Sequence, residues 1–141
     1  MKKSQFLTAI LCLSGLIAMS IGILIQISPL DFYSANNIDI GSNVNLFSEI
    51  RASSGFLLTS GILILTGAFV VHLQFTSIVL STVLYLSYGL SRFASIAIDG
   101  MPVKSLIQAM FIEITIGLFC LFSLWRHLYR ELSNSIKLRG K

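Results

Sequence analysis

Four largely apolar segments, each long enough to cross a lipid bilayer, constrain the fold of this chain most. A helix needs about 20 apolar residues to span the hydrocarbon core. The approximate segments are residues 6–30, 46–71, 77–98 and 102–125. Only 11% of the 141 residues are charged, against roughly 25% in an average soluble domain, so a soluble fold of this size could not bury so much apolar surface. The sequence therefore predicts an all-α, four-helix transmembrane bundle forming a single membrane domain, residues 1–141.

The first segment has a second interpretation, as a secretory signal peptide. Lys2 and Lys3 precede the apolar run, and residues 18–20 resemble a small-residue cleavage site. The apolar core of a signal peptide is typically about 7 to 15 residues and then turns polar, whereas this run continues to Leu30. We therefore expect the first segment to be retained as a spanning helix.

Basic residues are concentrated at the two ends of the chain. They are Lys2, Lys3, Arg126, Arg130, Lys137, Arg139 and Lys141. By the positive-inside rule, both termini are expected in the cytoplasm, with residues 126–141 as a basic tail. The polar residues 31–45 are expected to form a loop on the outer side, in which Asn45 caps the second spanning helix. The expected location is the inner (cytoplasmic) membrane, crossed several times. No basic stripe alternates with exposed aromatic residues, so nucleic acid is not an expected partner.

Five charged residues interrupt the apolar segments or end them. They are Glu49, Arg51, Arg92, Asp99 and Glu113. At ~1.5 Å per residue, all five fall in the outer half or near the middle of the bundle. A charge at the bilayer centre costs roughly 2.5 to 3.5 kcal/mol, so we expect these side chains to face one another across the bundle. The polar side chains expected beside them are Gln26, Tyr85, Tyr88 and Ser95.

Several of these charges also have purely structural explanations. Glu49 could favour the first turn of its helix through the helix dipole, and Arg51 could reach outward to lipid phosphates. The sequence DGMP (residues 99–102) predicts a tight hairpin in which Gly100 ends one helix, Pro102 opens the next and Asp99 caps it. A functional and a structural role both stay open for the charged set.

Metal, haem and thiol chemistry find no support in the sequence. The two cysteines, Cys12 and Cys120, form no CxxC motif, and His72 and His127 lie at the cytoplasmic ends of their segments. Neither zinc ligands nor a thiol redox pair has the spacing that these sites need. We therefore predict no metal, no cofactor and no catalytic residue, and we leave open whether the two cysteines ever pair.

Three parts of the sequence carry a family resemblance. NLFSEIRASSG (residues 45–55), YGLSRFASIAIDGMP (residues 88–102) and the lone Glu113 resemble the E-x-R-x-x-x-G, R-x-x-S-x-x-x-D-G-x-P and final-helix Glu pattern of the bacterial domain-of-unknown-function 4345 family. The resemblance extends over about residues 6–125. It implies a four-helix integral membrane protein, distantly DoxX-like, with the five charged residues at the family's polar positions. It implies no reaction.

These observations leave three functional hypotheses. The first is a non-enzymatic membrane protein whose charged set binds a small ligand, a lipid headgroup or a membrane-protein partner. The second is an accessory subunit of a quinone-linked redox system, with Glu113 exchanging a proton and Tyr85 or Tyr88 contacting the ring. The third is a purely structural membrane subunit. A homo-oligomer is compatible with each of them.

Overall fold

The computed structural model describes residues 5–139, which form helices joined by short connections. The helices are α1 (Gln5–Ile27), α2 (Pro29–Ala35), α3 (Val44–Phe69), α4 (Gln74–Asp99) and α5 (Lys104–Arg139), with a 3-10 turn (Val71–Leu73) before α4. In the described part of the chain, the four long helices are apolar enough to cross a membrane, with mean hydropathies from 1.4 to 2.4. The predicted all-α, four-helix membrane architecture is therefore confirmed. The side of the membrane on which the termini lie stays a prediction.

The connection between the first two spanning helices differs from the prediction. The first span was expected to reach residue 30, but α1 ends at Ile27 and the short helix α2 follows. Pro29 explains both facts, because it cannot donate a hydrogen bond within a continuing helix but fits the first position of a new one. The prediction of a loop over residues 31–45 is therefore wrong for its first part, which is helical as far as Ala35.

The ends of α3, α4 and α5 at the two polar connections differ in detail from the prediction. Asn43 caps α3, since its Oδ1 accepts hydrogen bonds from the main chain of Asn45 at 3.0 Å and Leu46 at 3.4 Å. Gly100 follows α4 with a φ of 98°, a conformation that favours glycine. Asp99 does not cap α5 in the described structure, and Pro102 does not open α5, which begins at Lys104. The Asp99 carboxylate accepts a hydrogen bond from Ser95 Oγ at 2.8 Å.

The four long helices form two closely packed pairs, α1 with α3 and α4 with α5. A Cβ atom on Gly15 would lie 2.7 Å from the main-chain nitrogen of Leu65 and 3.0 Å from the carbonyl oxygen of Gly61. A Cβ atom on Gly89 would lie 2.6 Å from Ile114 Cγ1. Small residues let membrane helices approach this closely and gain van der Waals contacts that lipid does not supply.

The buried residues divide between the two ends of the bundle. We call the end with residues 28–43 and 100–103 the loop end, and the opposite end the tail end. The main cluster, from the middle to the tail end, draws on all four long helices: Leu7, Leu11, Ala18, Ile64, Ala68, Ile78, Leu84, Tyr85, Ile116 and Cys120. A second cluster at the loop end comprises Ile25, Ile40 and Ile50 with Ile21, Phe32, Tyr33, Ile38 and Phe47. The loop-end cluster therefore contains residues of α1, α2, α3 and their connections, but none of α4 or α5.

Candidate functional site at the Arg92–Glu113 ion pair

An ion pair between α4 and α5 is the central polar feature of the membrane-spanning region. Arg92 Nε lies 2.9 Å from Glu113 Oε2, and the two side chains are 32% and 16% exposed. Gly89, one helical turn before Arg92, lets α5 approach α4 beside Glu113 and Ile114. Because Gly89 has no side chain, α4 and α5 lie close enough for Arg92 and Glu113 to form their ion pair.

The ion pair uses only part of the hydrogen-bonding capacity of its partners. Arg92 donates through Nε to one carboxylate oxygen, whereas a guanidinium carries five N–H donors and a carboxylate has two acceptor oxygens. Within the described chain, the η amino groups of Arg92 make no hydrogen bond, and no polar group donates to Glu113 Oε1. The pair therefore keeps four N–H donors and one carboxylate oxygen available for another molecule.

Aromatic side chains and the α2 region lie near the pair. Tyr88 is half-buried, precedes Arg92 by one turn, and interacts electrostatically with Arg92, Glu113 and Tyr33 of α2. Ser105 Oγ, at the start of α5, donates to the carbonyl oxygen of Asn36, the residue that follows α2, at 3.4 Å. The short helix therefore extends over the loop end of the α4–α5 pair.

Arg51 and Gln26 form a separate polar contact between α1 and α3. Gln26 Nε2 donates to the Arg51 carbonyl oxygen at 2.7 Å, and an Arg51 η nitrogen donates to the Gln26 carbonyl oxygen at 2.5 Å. Glu49 is exposed, two residues before Arg51, and residues so spaced on a helix do not face each other. Among the side chains that the structure describes, none forms an ion pair with Glu49 or Arg51. This contact therefore joins the first helix pair rather than extending the Arg92–Glu113 pair.

Tyr85 lies in the main cluster rather than on an open surface. It is 5% exposed, and its hydroxyl donates to the Ser14 carbonyl oxygen at 2.5 Å. Ser14 Oγ in turn lies 3.4 Å from Ser81 Oγ, and both serines are fully buried. These hydroxyl groups link α1 to α4 where the two helix pairs meet.

Comparison with protein families connects these helices to a known group. The family described as "Domain of unknown function (DUF4345)" matches residues 6–124. The chain belongs to this family. The expected resemblance is thereby confirmed, and the DUF4345 region covers α1 from residue 6, all of α3 and α4, α5 as far as residue 124, and both members of the ion pair. The DoxX-like relation stays a prediction. Comparisons with curated proteins and with solved structures gave no match.

The predicted polar residues of this DUF4345 chain lie at several distinct places. Arg92, Glu113 and Tyr88 come together; Gln26 contacts Arg51; and Ser95 contacts Asp99, both exposed. A shared role for the five charged residues stays a prediction. Sequence reasoning missed Gly89, although a glycine one turn before an intramembrane arginine is a signal for close helix approach.

The two described surface depressions lie away from the Arg92–Glu113 pair. One described depression lies on α5 between Leu118 and Trp125, and another lies beside Leu30 and residues 34–40. Neither contains Arg92 or Glu113. Among the described side chains, no group of three or more potential metal ligands is close enough to hold an ion.

Proposed function

We propose that this DUF4345 protein is a non-enzymatic, multi-pass membrane protein that binds a small ligand at the Arg92–Glu113 pair. The observation that carries the proposal is the single hydrogen bond within the pair. This hydrogen bond fixes the Arg92 guanidinium, while the η amino groups of Arg92 stay available for an acidic or polar group of the ligand. We further propose the bacterial cytoplasmic membrane as its location, with both termini in the cytoplasm.

Energetic considerations favour a binding role over a purely structural one. An ion pair that only stabilises a fold in a low-dielectric region gains most when its remaining donors and acceptors are also satisfied. Arginine commonly achieves this with two parallel hydrogen bonds to one carboxylate. Here only one is made, and about a third of the Arg92 side chain is exposed. Ionisable residues kept inside a membrane segment despite their insertion cost are functional candidates by default.

The two residues have different roles in this proposal. Arg92 supplies donors and a positive charge to the ligand, while Glu113 orients the guanidinium and balances its charge when no ligand is bound. A redox role draws less support, because the Tyr85 hydroxyl is occupied by the Ser14 carbonyl group inside the main cluster. Tyr88 is the aromatic residue beside the pair, and we assign it a contact with the ligand.

The proposal is tested by asking whether a molecule retained through purification depends on Arg92. Wild-type protein, Arg92→Ala and Glu113→Gln are purified in mild detergent, and bound molecules are identified by native mass spectrometry and extraction. The matched control is Arg126→Ala, which removes an exposed arginine near the tail end. Hydrogen bonds to charged groups contribute about 1.5 to 3 kcal/mol, so occupancy in Arg92→Ala should correspond to an affinity about 10- to 100-fold weaker.

Folding is checked separately by circular dichroism and size-exclusion chromatography. If Arg92→Ala does not fold, Arg92→Lys replaces it, because lysine keeps the charge but lacks the planar fork of donors. A specific molecule present in wild type and Arg126→Ala, and depleted in the site variants, supports the proposal. No retained molecule, or equal retention in all four proteins, refutes it.

A further inference from the structure

The two helix pairs meet closely near the tail end and lose mutual burial towards the loop end. Every buried residue of α4 lies between Gln74 and Gly89, and none lies in the last ten residues of the helix. The loop-end cluster is correspondingly built without α4 or α5. The face of α4 that is buried as far as Gly89 continues towards the loop end with Arg92 and Ile96. These two residues are only partly buried. The partly exposed residues Arg92, Ile96 and Glu113 therefore form a surface towards the loop end, which we call the side opening.

The depth of this side opening matches the polar boundary of a bilayer. Helix α4 has 26 residues and is ~39 Å long at 1.5 Å per residue, compared with a hydrocarbon core about 30 Å thick. Each end thus projects several ångströms beyond the hydrocarbon. Arg92 lies seven residues before Asp99, about 10 Å below the end of α4, and hence roughly 5 to 6 Å inside the hydrocarbon boundary. A lipid headgroup must therefore move inward across this boundary to reach the pair.

The charges at the side opening distinguish between classes of lipid. The ion pair is neutral as a whole, yet it offers N–H donors on Arg92 and an acceptor oxygen on Glu113. A headgroup with a phosphate and a primary ammonium complements both sites at once. An acidic headgroup without an ammonium places its negative charge near the Glu113 carboxylate, and it has no positive group of its own to offset the repulsion. A choline headgroup has no N–H to donate to the carboxylate.

We propose that the side opening binds an aminophospholipid of the phosphatidylethanolamine type, which enters from the bilayer between the two helix pairs. Its phosphate accepts hydrogen bonds from the Arg92 η amino groups, and its ammonium group donates to Glu113 Oε1. This inference rests on the proposed function, and it adds the ligand class and the entry route. Ile96, one helical turn nearer the loop end than Arg92, lies beside the headgroup, and α2 lies over it.

The headgroup is tested by titrating delipidated protein with three lipids that share the same acyl chains. The probes are phosphatidylethanolamine, phosphatidylcholine and phosphatidylglycerol, with binding measured by native mass spectrometry. We expect phosphatidylethanolamine to bind at least about tenfold more tightly than phosphatidylcholine, because a charge-assisted hydrogen bond is lost in the latter. Glu113→Gln should remove this preference, and Arg126→Ala should keep it.

Two tryptophan substitutions on α4 test binding at the side opening, and a soluble headgroup tests the entry route. Ile96→Trp fills the side opening and should weaken phosphatidylethanolamine binding by about tenfold or more, equivalent to one lost charge-assisted hydrogen bond. Ile98→Trp, at a position 81% exposed, is the matched control and should bind as wild type does. Soluble phosphoethanolamine, which carries the same headgroup without acyl chains, should bind far more weakly than the lipid.

The outcomes separate this inference from the proposed function. Arg92-dependent binding that is strongest for phosphatidylglycerol, or equal for all three lipids, overturns the aminophospholipid assignment and leaves the binding site standing. Phosphoethanolamine binding as tight as that of the lipid overturns entry from the bilayer. Equal effects of Ile96→Trp and Ile98→Trp overturn binding at the side opening. Binding that does not depend on Arg92 for any probe refutes both proposals.

Discussion

The Arg92–Glu113 pair can be measured directly by a double-mutant cycle. Arg92→Met and Glu113→Gln keep approximate side-chain size while each removes one charge. Two unit charges about 4 Å apart attract by about 4 kcal/mol at an effective dielectric constant of 20. Desolvation offsets most of this attraction, which leaves about 1.5 to 3 kcal/mol for a hydrogen bond between charged groups. Because the side chains are 32% and 16% exposed, screening reduces the expected coupling free energy to about 1 to 2 kcal/mol.

The assay is reversible unfolding in mixed micelles, in which sodium dodecyl sulfate is titrated against a mild detergent and helicity is followed by circular dichroism. The chain supplies its own control cycle in Glu49→Gln and Arg51→Met. These residues are exposed, two apart on one helix, and not joined by an ion pair, so their coupling free energy should stay below about 0.5 kcal/mol. Equal coupling in the two cycles would refute a direct Arg92–Glu113 contact and remove the basis of the binding site.

Two further predictions use the same unfolding assay. Gly61→Ala should lower the free energy of unfolding by about 1 to 3 kcal/mol, because its Cβ meets the main chain of α1. Gly55→Ala, whose nearest atom is a side-chain end at 3.1 Å, should change it by less than about 0.5 kcal/mol; equal effects would contradict the close helix approach. Tyr85→Phe should cost about 0.5 to 1.5 kcal/mol through the lost hydrogen bond to Ser14. Tyr88→Phe should cost less, and the reverse order would contradict the buried contact.

Some local details were predictable because they depend on short-range chemistry. The end of α4 follows from a glycine that adopts positive φ, and Gly100 does adopt this conformation, although α5 begins at Lys104 and not at Pro102. Other details followed the same chemistry but were misjudged. Pro29 opens α2, and Asn43 rather than Asn45 caps α3. In both cases a polar segment offered several candidate residues, and the neighbouring main-chain contacts selected one.

The arrangement of charged residues was less predictable than their depth. Similar depth suggested that five charges meet, but depth along a helix does not specify the direction around its axis. Arg51 reaches across to α1 and contacts the main chain of Gln26, whereas Arg92 contacts α5. That difference depends on which helices pair, and the pairing in turn depends on the close approaches that small residues permit.

The amino-acid sequence by itself determined the class of fold, the number and order of spanning helices, and the depth of the polar residues. Hydropathy and helix length are local properties, because lipid requires every spanning segment to satisfy its own main-chain hydrogen bonds. Only the tertiary structure decided that Arg92 pairs with Glu113 and that α4 has no buried residue beyond Gly89. Both depend on helix rotation and on distances between helices, which arise from packing over the whole bundle rather than from any one segment.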